Sequence, residues 1–301
     1  MQVPVQQFPP VFESAKQLKL RFDHSHKVLW TFLDPEGRSC FNEPLLESLK
    51  RCYDNIEDYG RGHLSKSGSL PILYTVLASK HPAIFSYGGD IFLFKKMISE
   101  RDREGLRRYA QLCIDNVYIQ SANYNLPMTT ISLVQGDALG GGFEAALCCS
   151  IMIAEKRARF GLPEILFNLF PGMGAYHFLA RRVGMKQVEE IMTSGNVYTA
   201  EELHEKGVVD ILAEDGGGEK AVYEFIKNHS RRLKARQGIS KVRQDVFRVA
   251  KEELERTADI WVDTALSLDD SDLRIMERLV RAQVAKESGG PRLIADEGIR
   301  T

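Results

Sequence analysis

The chain has 301 residues, of which 44% are hydrophobic and 27% charged, an ordinary composition for a folded globular protein. Its 40 Lys and Arg residues nearly balance 41 Asp and Glu residues, so the formal net charge is -1. This balance excludes the strongly basic surface of a typical nucleic-acid binder and the composition of a disordered chain.

Membrane-spanning and secreted proteins are also disfavoured. The longest nearly apolar stretch, residues 145–154, is far shorter than the ~18 residues of a membrane-spanning helix. The first residues lack a basic segment followed by an apolar one, so no signal peptide is expected. An odd number of cysteines without a C-x-x-C pair argues against a disulfide framework or a zinc site. We therefore expect a cytoplasmic protein without a metal site.

The first half of the chain predicts alternating strands and helices. Residues 1–17 contain three prolines and should form an extended arm. Helical spacing of apolar residues predicts an amphipathic helix over 43–59, and the Gly-, Ser- and Lys-rich segment 60–69 should be mobile. The other elements predicted here are strands at 18–22, 28–33, 71–79 and 128–135, a helix from residue 91, and a helix over 103–123.

The second half continues this alternation up to residue 212. A glycine turn after residue 136 leads into a helix, Thr199 and Glu202 form a capping-box pattern, and the last strand is predicted at 207–212. Alternating strands and helices indicate an α/β core, which we place at 18–215. A helical module over 219–286 and a disordered tail over 287–301 are expected to follow it.

Two glycine turns, Gly88-Gly89 and Gly140-Gly141-Gly142, each lead into a predicted helix. The second turn lacks both the dinucleotide-binding spacing and the Gly-Lys-Ser/Thr of a phosphate loop. Glycine leaves the N–H groups at a helix start accessible, and such groups stabilise negative charge. Two of them can form an oxyanion hole. The structural alternatives are close helix–strand packing and a simple turn with Asp90 as N-cap.

Two acidic residues accompany the glycine turns. Glu144 lies three residues after Gly141, and Glu164 follows a proline at the predicted end of a strand. Two carboxyl groups can accept one proton and donate another. Each alone is equally typical of a helix cap or a surface carboxylate, but the combination of two acids with two backbone donors indicates an enzyme.

Motifs around these residues resemble the crotonase (enoyl-CoA hydratase/isomerase) superfamily in order and spacing over about residues 18–215. They are Phe85–Asp90 (FSYGGD), Gly136–Glu144 (GDALGGGFE), Phe160–Glu164 (FGLPE) and Pro171–Gly174 (PGMG). Longer segments resemble the bacterial diffusible-signal-factor synthases, which make cis-2-unsaturated fatty acids. These segments are 134–147, 169–176 and 260–265, and the resemblance extends to Gln283.

The resemblance implies a fold and a mechanism. The fold would be an α/β crotonase-like spiral of ββα units, with a C-terminal helical module for trimerisation or as a lid. The N–H groups of Gly89 and Gly141 would form the oxyanion hole. By analogy with the hydratases, Glu164 would take the α-proton and Glu144 would protonate the departing 3-hydroxyl.

The resemblance also implies a substrate and partners. The synthases dehydrate a 3-hydroxyacyl chain on acyl carrier protein to a cis-2-enoyl thioester and hydrolyse it to a free fatty acid, a quorum-sensing signal. No metal or redox cofactor is implied. The implied partners are the acyl carrier protein or CoA thioester, further copies of the chain in a trimer or dimer of trimers, and a sensor-kinase receiver domain.

The chain departs from ordinary hydratases at Gly172–Tyr176 (GMGAY), where these usually have Gly-x-Gly-Gly-Thr. The substrate-binding residues expected from the synthase resemblance are Leu139, Gly140, Met173, Tyr176 and Trp261. Core packing is the alternative for each apolar side chain, and it is as good an interpretation as pocket lining for Trp261.

Two other functions remain open, a plain enoyl-CoA hydratase and a non-catalytic acyl-binding regulatory module. Retention of both acids and both glycine turns favours an enzyme over the module. Six Lys and Arg residues within 95–108 indicate a docking patch for an acidic carrier protein. The alternative is a solvated helix face whose acidic residues cancel part of this charge.

Overall fold

The computed structural model describes residues 16–287 of the 301-residue chain. Most of the predicted N-terminal arm (1–17) and of the predicted tail (287–301) therefore lies outside the described residues. Within 16–287, no helix combines the length and apolar character needed to cross a membrane.

The described residues form ten strands in two sheets. The large sheet has the order β1-β2-β3-β5-β7-β10 and the small sheet has the order β4-β6-β8-β9. The strands are β1 (Leu18–Asp23), β2 (Val28–Leu33), β3 (Tyr74–Ser79), β4 (Ile84–Ser86), β5 (Thr129–Val134), β6 (Asp137–Leu139), β7 (Ile151–Glu155), β8 (Arg159–Gly161), β9 (Val197–Thr199) and β10 (Ile211–Ala213). All neighbouring strands are parallel except the pairs β1/β2 and β8/β9.

Each pair β3/β4, β5/β6 and β7/β8 adds one strand to the large sheet and the next to the small sheet, and helical segments follow each pair. This repetition is the predicted spiral of ββα units, so the predicted fold class is confirmed. Every residue of β2 and β3 is buried, because apolar clusters cover both faces of the large sheet. The continuous apolar runs in the sequence reflect this two-sided burial.

The described helices surround the sheets. They are α1 (Glu43–Ser67), α2 (Ile91–Ser99), α3 (Arg103–Ser121), α4 (Gly141–Leu147), α5 (Ala175–Leu179), α6 (Met185–Ser194), α7 (Ala200–Glu205), α8 (Gly218–Ser230), α9 (Leu233–Phe247), α10 (Lys251–Leu266) and α11 (Asp270–Glu287). A short 3-10 helix at Pro163–Phe167 lies between β8 and α5. The capping box of Thr199 and Glu202 is present at the start of α7.

Helix α1 corrects one prediction, because it continues to Ser67 through the segment expected to be mobile. Gly60 is buried, and a Cβ atom there would collide with the side chain of Leu126. This close contact anchors the second half of the helix, which ends at Gly68 with φ 66°. Tertiary packing therefore overrides the weak helix preference of a Gly- and Ser-rich sequence.

The C-terminal helices have two locations. Helix α8 covers one face of the large sheet with Val222 and Ile226. Helix α10 packs against α3 in antiparallel orientation, and a ladder of polar pairs spaced by four residues on both helices joins them. The pairs are Arg103–Asp263, Arg107–Asp259, Gln111–Glu255 and Asp115–Lys251. Helix α11 then crosses α2 and the 3-10 helix.

Candidate active site

A cavity of about 1430 Å³ lies between the small sheet, the two glycine turns and the helices α10 and α11. Eight of the nine site residues predicted from the sequence line this cavity. These are Gly89, Leu139, Gly140, Gly141, Glu144, Glu164, Met173 and Trp261. The small sheet explains this convergence, because β4 and β6 are adjacent and parallel, so the turns that follow them lie at the same edge.

The two glycine turns touch each other through their backbones. A Cβ atom on Gly88 would lie only 2.7 Å from the nitrogen of Gly141, so a side chain there would separate the turns. Gly140 has φ 51°, which favours glycine, and Gly141 is the first residue of α4. Among the described residues, neither Gly89 N–H nor Gly141 N–H has a hydrogen-bond acceptor. The cavity wall therefore presents two available backbone donors.

Glu144 is buried on the first turn of α4, with 1% of its surface exposed. Its Oε1 accepts hydrogen bonds from the N–H groups of Met173 at 2.8 Å and Ala175 at 2.9 Å. Burial raises the pKa of Glu144 to about 7, and these N–H groups oppose the rise because they stabilise the carboxylate. The backbone of the segment 172–175 thus fixes the orientation of the Glu144 carboxyl group.

Glu164 lies on the 3-10 helix that follows β8. Its Oε2 is buried and has no hydrogen-bond partner among the described residues, while a Cβ atom on Gly140 would lie 2.5 Å from its Oε1. Burial, and then the charge of Glu144, raise the pKa of Glu164 to about 8. Only its own backbone N–H lowers the pKa of Glu164, whereas three backbone N–H groups lower that of Glu144, so the proton of the pair favours Glu164.

The cavity therefore contains two carboxyl groups whose pKa values are raised towards neutrality, beside two backbone donors. Such an arrangement can move a proton to and from a substrate while the donors bind a developing oxyanion. Perturbed carboxyl pKa values of this kind are typical of active sites.

Apolar side chains complete the cavity. Leu139 and Met173 line it beside the glycine turns, and the ring of Trp261 lies 5.2 Å from that of Phe94. Trp261 is only 6% exposed and also lines the cavity, so core packing and pocket lining are both found for this side chain. The contribution of α11 to the cavity was not predicted from the sequence, although the apolar spacing of Met276 and Leu279 was the available signal.

The prediction that Tyr176 lines the pocket is corrected, because Tyr176 is not among the described residues that line this cavity. Its hydroxyl donates a hydrogen bond to Glu189 Oε1 at 2.6 Å, in an exposed contact between α5 and α6. The preceding turn at Gly174, with φ 109°, starts α5 so that Ala175 N–H faces Glu144 and Tyr176 does not face the substrate cavity.

Polar residues of the small sheet were also missed. Asp137 and Arg159 line the cavity, as does Tyr87, two residues before Gly89. Asp137 and Leu139 alternate along β6 with the buried Ala138, so strand periodicity would have placed both on the cavity face.

The cluster of basic residues at 95–108 is partly neutralised by the C-terminal helices. Lys95 pairs with Glu277 of α11, and Arg103 and Arg107 pair with aspartates of α10. Half of the six cations therefore join the C-terminal helices to the core. This pairing weakens the prediction of a docking patch, and it differs from the alternative, in which acidic residues of the same helix face cancel the charge.

Comparison with known proteins agrees with this geometry. The family model for enoyl-CoA hydratase/isomerase matches residues 72–273, which include both glycine turns and both glutamates. The chain belongs to the enoyl-CoA hydratase/isomerase family. Membership assigns it to hydratase-like enzymes of the crotonase superfamily, the class predicted from the motifs.

Three similar proteins illustrate the relationship. Mouse mitochondrial methylglutaconyl-CoA hydratase is 25% identical over 260 residues, which cover 85% of this chain and 76% of that protein. The structure of an enoyl-CoA hydratase from Bacillus halodurans has a TM-score of 0.71 at 24% identity and covers 87% of this chain and 100% of its own. The structure of Pseudomonas aeruginosa DspI has a TM-score of 0.67 at 21% identity, covering 85% and 98%.

Proposed function

We propose that this enzyme dehydrates a 3-hydroxyacyl thioester to the cis-2-enoyl thioester and hydrolyses that thioester to a free cis-2-unsaturated fatty acid, a quorum-sensing signal. The observation that carries the proposal is the pair of glutamates with raised pKa values that line one cavity together with two available glycine N–H groups. The resemblance of three segments to diffusible-signal-factor synthases supports the specific product.

In the dehydration step, the N–H groups of Gly89 and Gly141 bind the thioester oxygen. Glu164, as carboxylate, takes the proton from C2, and the resulting enolate is stabilised by the two donors. The C3–O bond then breaks while Glu144 donates its proton, so water leaves and the C2–C3 double bond forms. Glu144 ends ionised and Glu164 ends protonated.

The hydrolysis step can use this product state directly. Glu144 takes a proton from a water molecule whose oxygen attacks C1, and the same donors bind the tetrahedral oxyanion. When the intermediate collapses, the C–S bond breaks and Glu164 donates its proton to the thiolate. This returns the proton to Glu144 and regenerates the carboxylate of Glu164, so the two steps together form a closed proton cycle.

The energetic cost of this cycle is small. The dehydration step needs the proton on Glu144, whereas the pair favours Glu164, whose pKa is about 8 against about 7 for Glu144. One pKa unit corresponds to about 1.4 kcal/mol, so both proton arrangements are accessible at neutral pH. A plain hydratase would need only the first step and its reversal.

The test is product analysis with 3-hydroxydodecanoyl acyl carrier protein as substrate. The proposal expects free cis-2-enoic acid together with free thiol. Accumulation of the enoyl thioester without thiol would leave a plain enoyl-CoA hydratase, and absence of any reaction would indicate the acyl-binding module.

The roles of the two acids are tested by Glu144→Gln and Glu164→Gln. Each should block formation of the enoic acid, by about 10²–10⁴-fold. Exchange of the C2 proton with solvent deuterium should persist only in Glu144→Gln, because Glu164 takes that proton. Exchange in Glu164→Gln alone would reverse the assignment.

The substrate carrier, the oligomeric state, the partner and the location are the remaining proposals. An acyl-CoA thioester as substrate is consistent with the family, whereas acyl carrier protein as the carrier rests on the synthase resemblance. A homotrimer or dimer of trimers, a sensor-kinase receiver domain as partner, and a cytoplasmic location are proposals that rest on the synthase resemblance and the sequence.

A further inference from the structure

Tyr87 is the one tyrosine of the described cavity lining whose buried hydroxyl has no hydrogen-bond partner. The residue is 6% exposed, lies between β4 and the Gly88-Gly89 turn, and lines the same cavity as both glutamates. The other two tyrosines of the lining are satisfied. Tyr109 donates to the carbonyl of Phe41, and the hydroxyl of Tyr198 lies 3.1 Å from that of Ser194. Because a buried hydroxyl without a partner is costly, a ligand is the natural partner for Tyr87.

The surroundings of Tyr87 define the chemistry of this ligand. Burial raises the pKa of Tyr87 well above its ordinary value, and the carboxylates of Asp137 and Glu287 add to the rise, so the hydroxyl stays protonated and can donate. The same two carboxylates disfavour an anion at this position. The partner of the hydroxyl should therefore be a neutral acceptor oxygen.

The proposed substrate contains three kinds of acceptor oxygen, and two of them are already assigned. Resting on the proposed function, the thioester oxygen lies at Gly89 and Gly141 and the 3-hydroxyl lies at Glu144. The charged groups that act on Tyr87 are Asp137 and Glu287. Among the described residues, its hydroxyl is not hydrogen-bonded to either catalytic glutamate, so the third kind of acceptor is the remaining candidate.

The third kind of acceptor is the amide carbonyl of the pantetheine arm, which continues from the sulfur. An unsubstituted acyl tail has no acceptor. Tyr87 is two residues from Gly89, and Glu287, at the end of α11, accepts hydrogen bonds from Ser39 N at 2.8 Å and Ser39 Oγ at 2.5 Å. Tyr87 N–H donates to the carbonyl of Ser39 at 2.8 Å, so the end of α11 lies beside Tyr87, which lines the cavity next to the Gly88-Gly89 turn.

We propose that the Tyr87 hydroxyl donates a hydrogen bond to an amide carbonyl of the pantetheine arm, the part of the substrate that CoA and acyl carrier protein share. Tyr87 would then be a specificity-determining residue that recognises the carrier arm and takes no part in the proton transfers.

The test measures binding of two unreactive ligands to the full chain. Both are saturated ketones in which a methylene replaces the thioester sulfur, so neither can be dehydrated or hydrolysed. One carries the pantetheine arm and the other ends in a short alkyl group. Tyr87→Phe should raise the Kd of the first ligand about fivefold to tenfold and leave that of the second unchanged.

Tyr198→Phe is the matched control, because it removes a cavity hydroxyl that has an internal partner. It should change both Kd values by the same factor and lower the thermal midpoint, whereas Tyr87→Phe should not lower it. Equal weakening of both ligands by Tyr87→Phe, or no weakening of either, would overturn the proposal. Since the ketones do not react, this result is independent of whether the enzyme hydrolyses its thioester, which the product analysis decides.

Discussion

The two walls of the cavity are built in different ways. The wall with the glycine turns is fixed by backbone contacts: a Cβ atom on Gly88 would come within 2.7 Å of the Gly141 nitrogen, and one on Gly142 would collide with the carbonyl of Ser86. The opposite wall consists of side chains of α10 and α11, which are attached to the core by polar pairs such as Lys95–Glu277 and Asn168–Asp272. Gly88 and Gly142 of the first wall should therefore tolerate no side chain, while the second wall should accept changes of volume.

The largest effect is expected where the backbone wall loses a donor. Gly141→Pro removes one of the two proposed oxyanion-hole N–H groups at the first position of α4, where proline suits the helix. Loss of such a donor costs about 2.7–4 kcal/mol of transition-state stabilisation, so kcat should fall about 10²–10³-fold. Steady-state kinetics and a thermal melt, which should show a folded protein, are the measurements. Near wild-type turnover in the folded variant would contradict the assignment of Gly141.

An intermediate effect concerns stability and pH. The folded protein raises the pKa of Glu164 from 4.5 to about 8, so the fold favours the neutral carboxyl. The associated stability is fully present below pH 4.5 and is lost as the pH rises through about 8. Glu164→Gln keeps a neutral group at every pH, so its advantage over the wild type should grow across this range.

At pH 8.5 the free energy of unfolding of Glu164→Gln should exceed that of the wild type by on the order of 2–4 kcal/mol. Denaturant unfolding at pH 5, 7 and 8.5 measures this difference. Glu205→Gln, a change at an exposed position, serves as control and should show no trend with pH. A constant difference between Glu164→Gln and wild type would mean that Glu164 is not held neutral.

The smallest effect is expected in the helical wall. Leu279 of α11 lines the cavity, so Leu279→Ala should make room for a longer acyl chain and raise the relative kcat/KM of such a chain about fourfold per added methylene. Val280, the next residue, is 1% exposed and faces away from the cavity. Val280→Ala should lower stability by about 1–3 kcal/mol without changing chain preference. An identical change of preference in both variants would show that α11 acts through stability alone.

The sequence predicted best what depends on local pattern. Strands β2 and β3 appear as apolar runs, and the glycine turns and their acids appear as motifs, so the backbone wall could be located before the fold was known. It did not reveal α6 (Met185–Ser194), whose start at Gly184 has no side-chain cap. Nor could it exclude Tyr176 from the pocket, because that depends on how the turn at Gly174 directs α5.

The helical wall was harder to predict for a related reason. Residues of α11 line the cavity because they pack against elements that lie more than a hundred positions earlier in the chain. The periodicity of a helix identifies its apolar face but not the element that packs against that face. The ladder between α3 and α10 likewise joins charges that lie more than a hundred positions apart along the chain, which is why the basic cluster at 95–108 suggested a docking patch.

The position of α11 in the chain gives the enzyme a particular order of assembly. Every proposed catalytic group, from Gly89 to Glu164, leaves the ribosome before Asp270, and at about 5–20 residues per second the roughly 100 intervening residues take about 5–20 s to synthesise. During that interval the nascent core would contain the two glutamates and the two glycine turns, but the apolar side of the cavity that α11 covers would be exposed. Chaperones that recognise exposed apolar surface should therefore engage this stage of translation, and their release should coincide with the arrival of the last described helix.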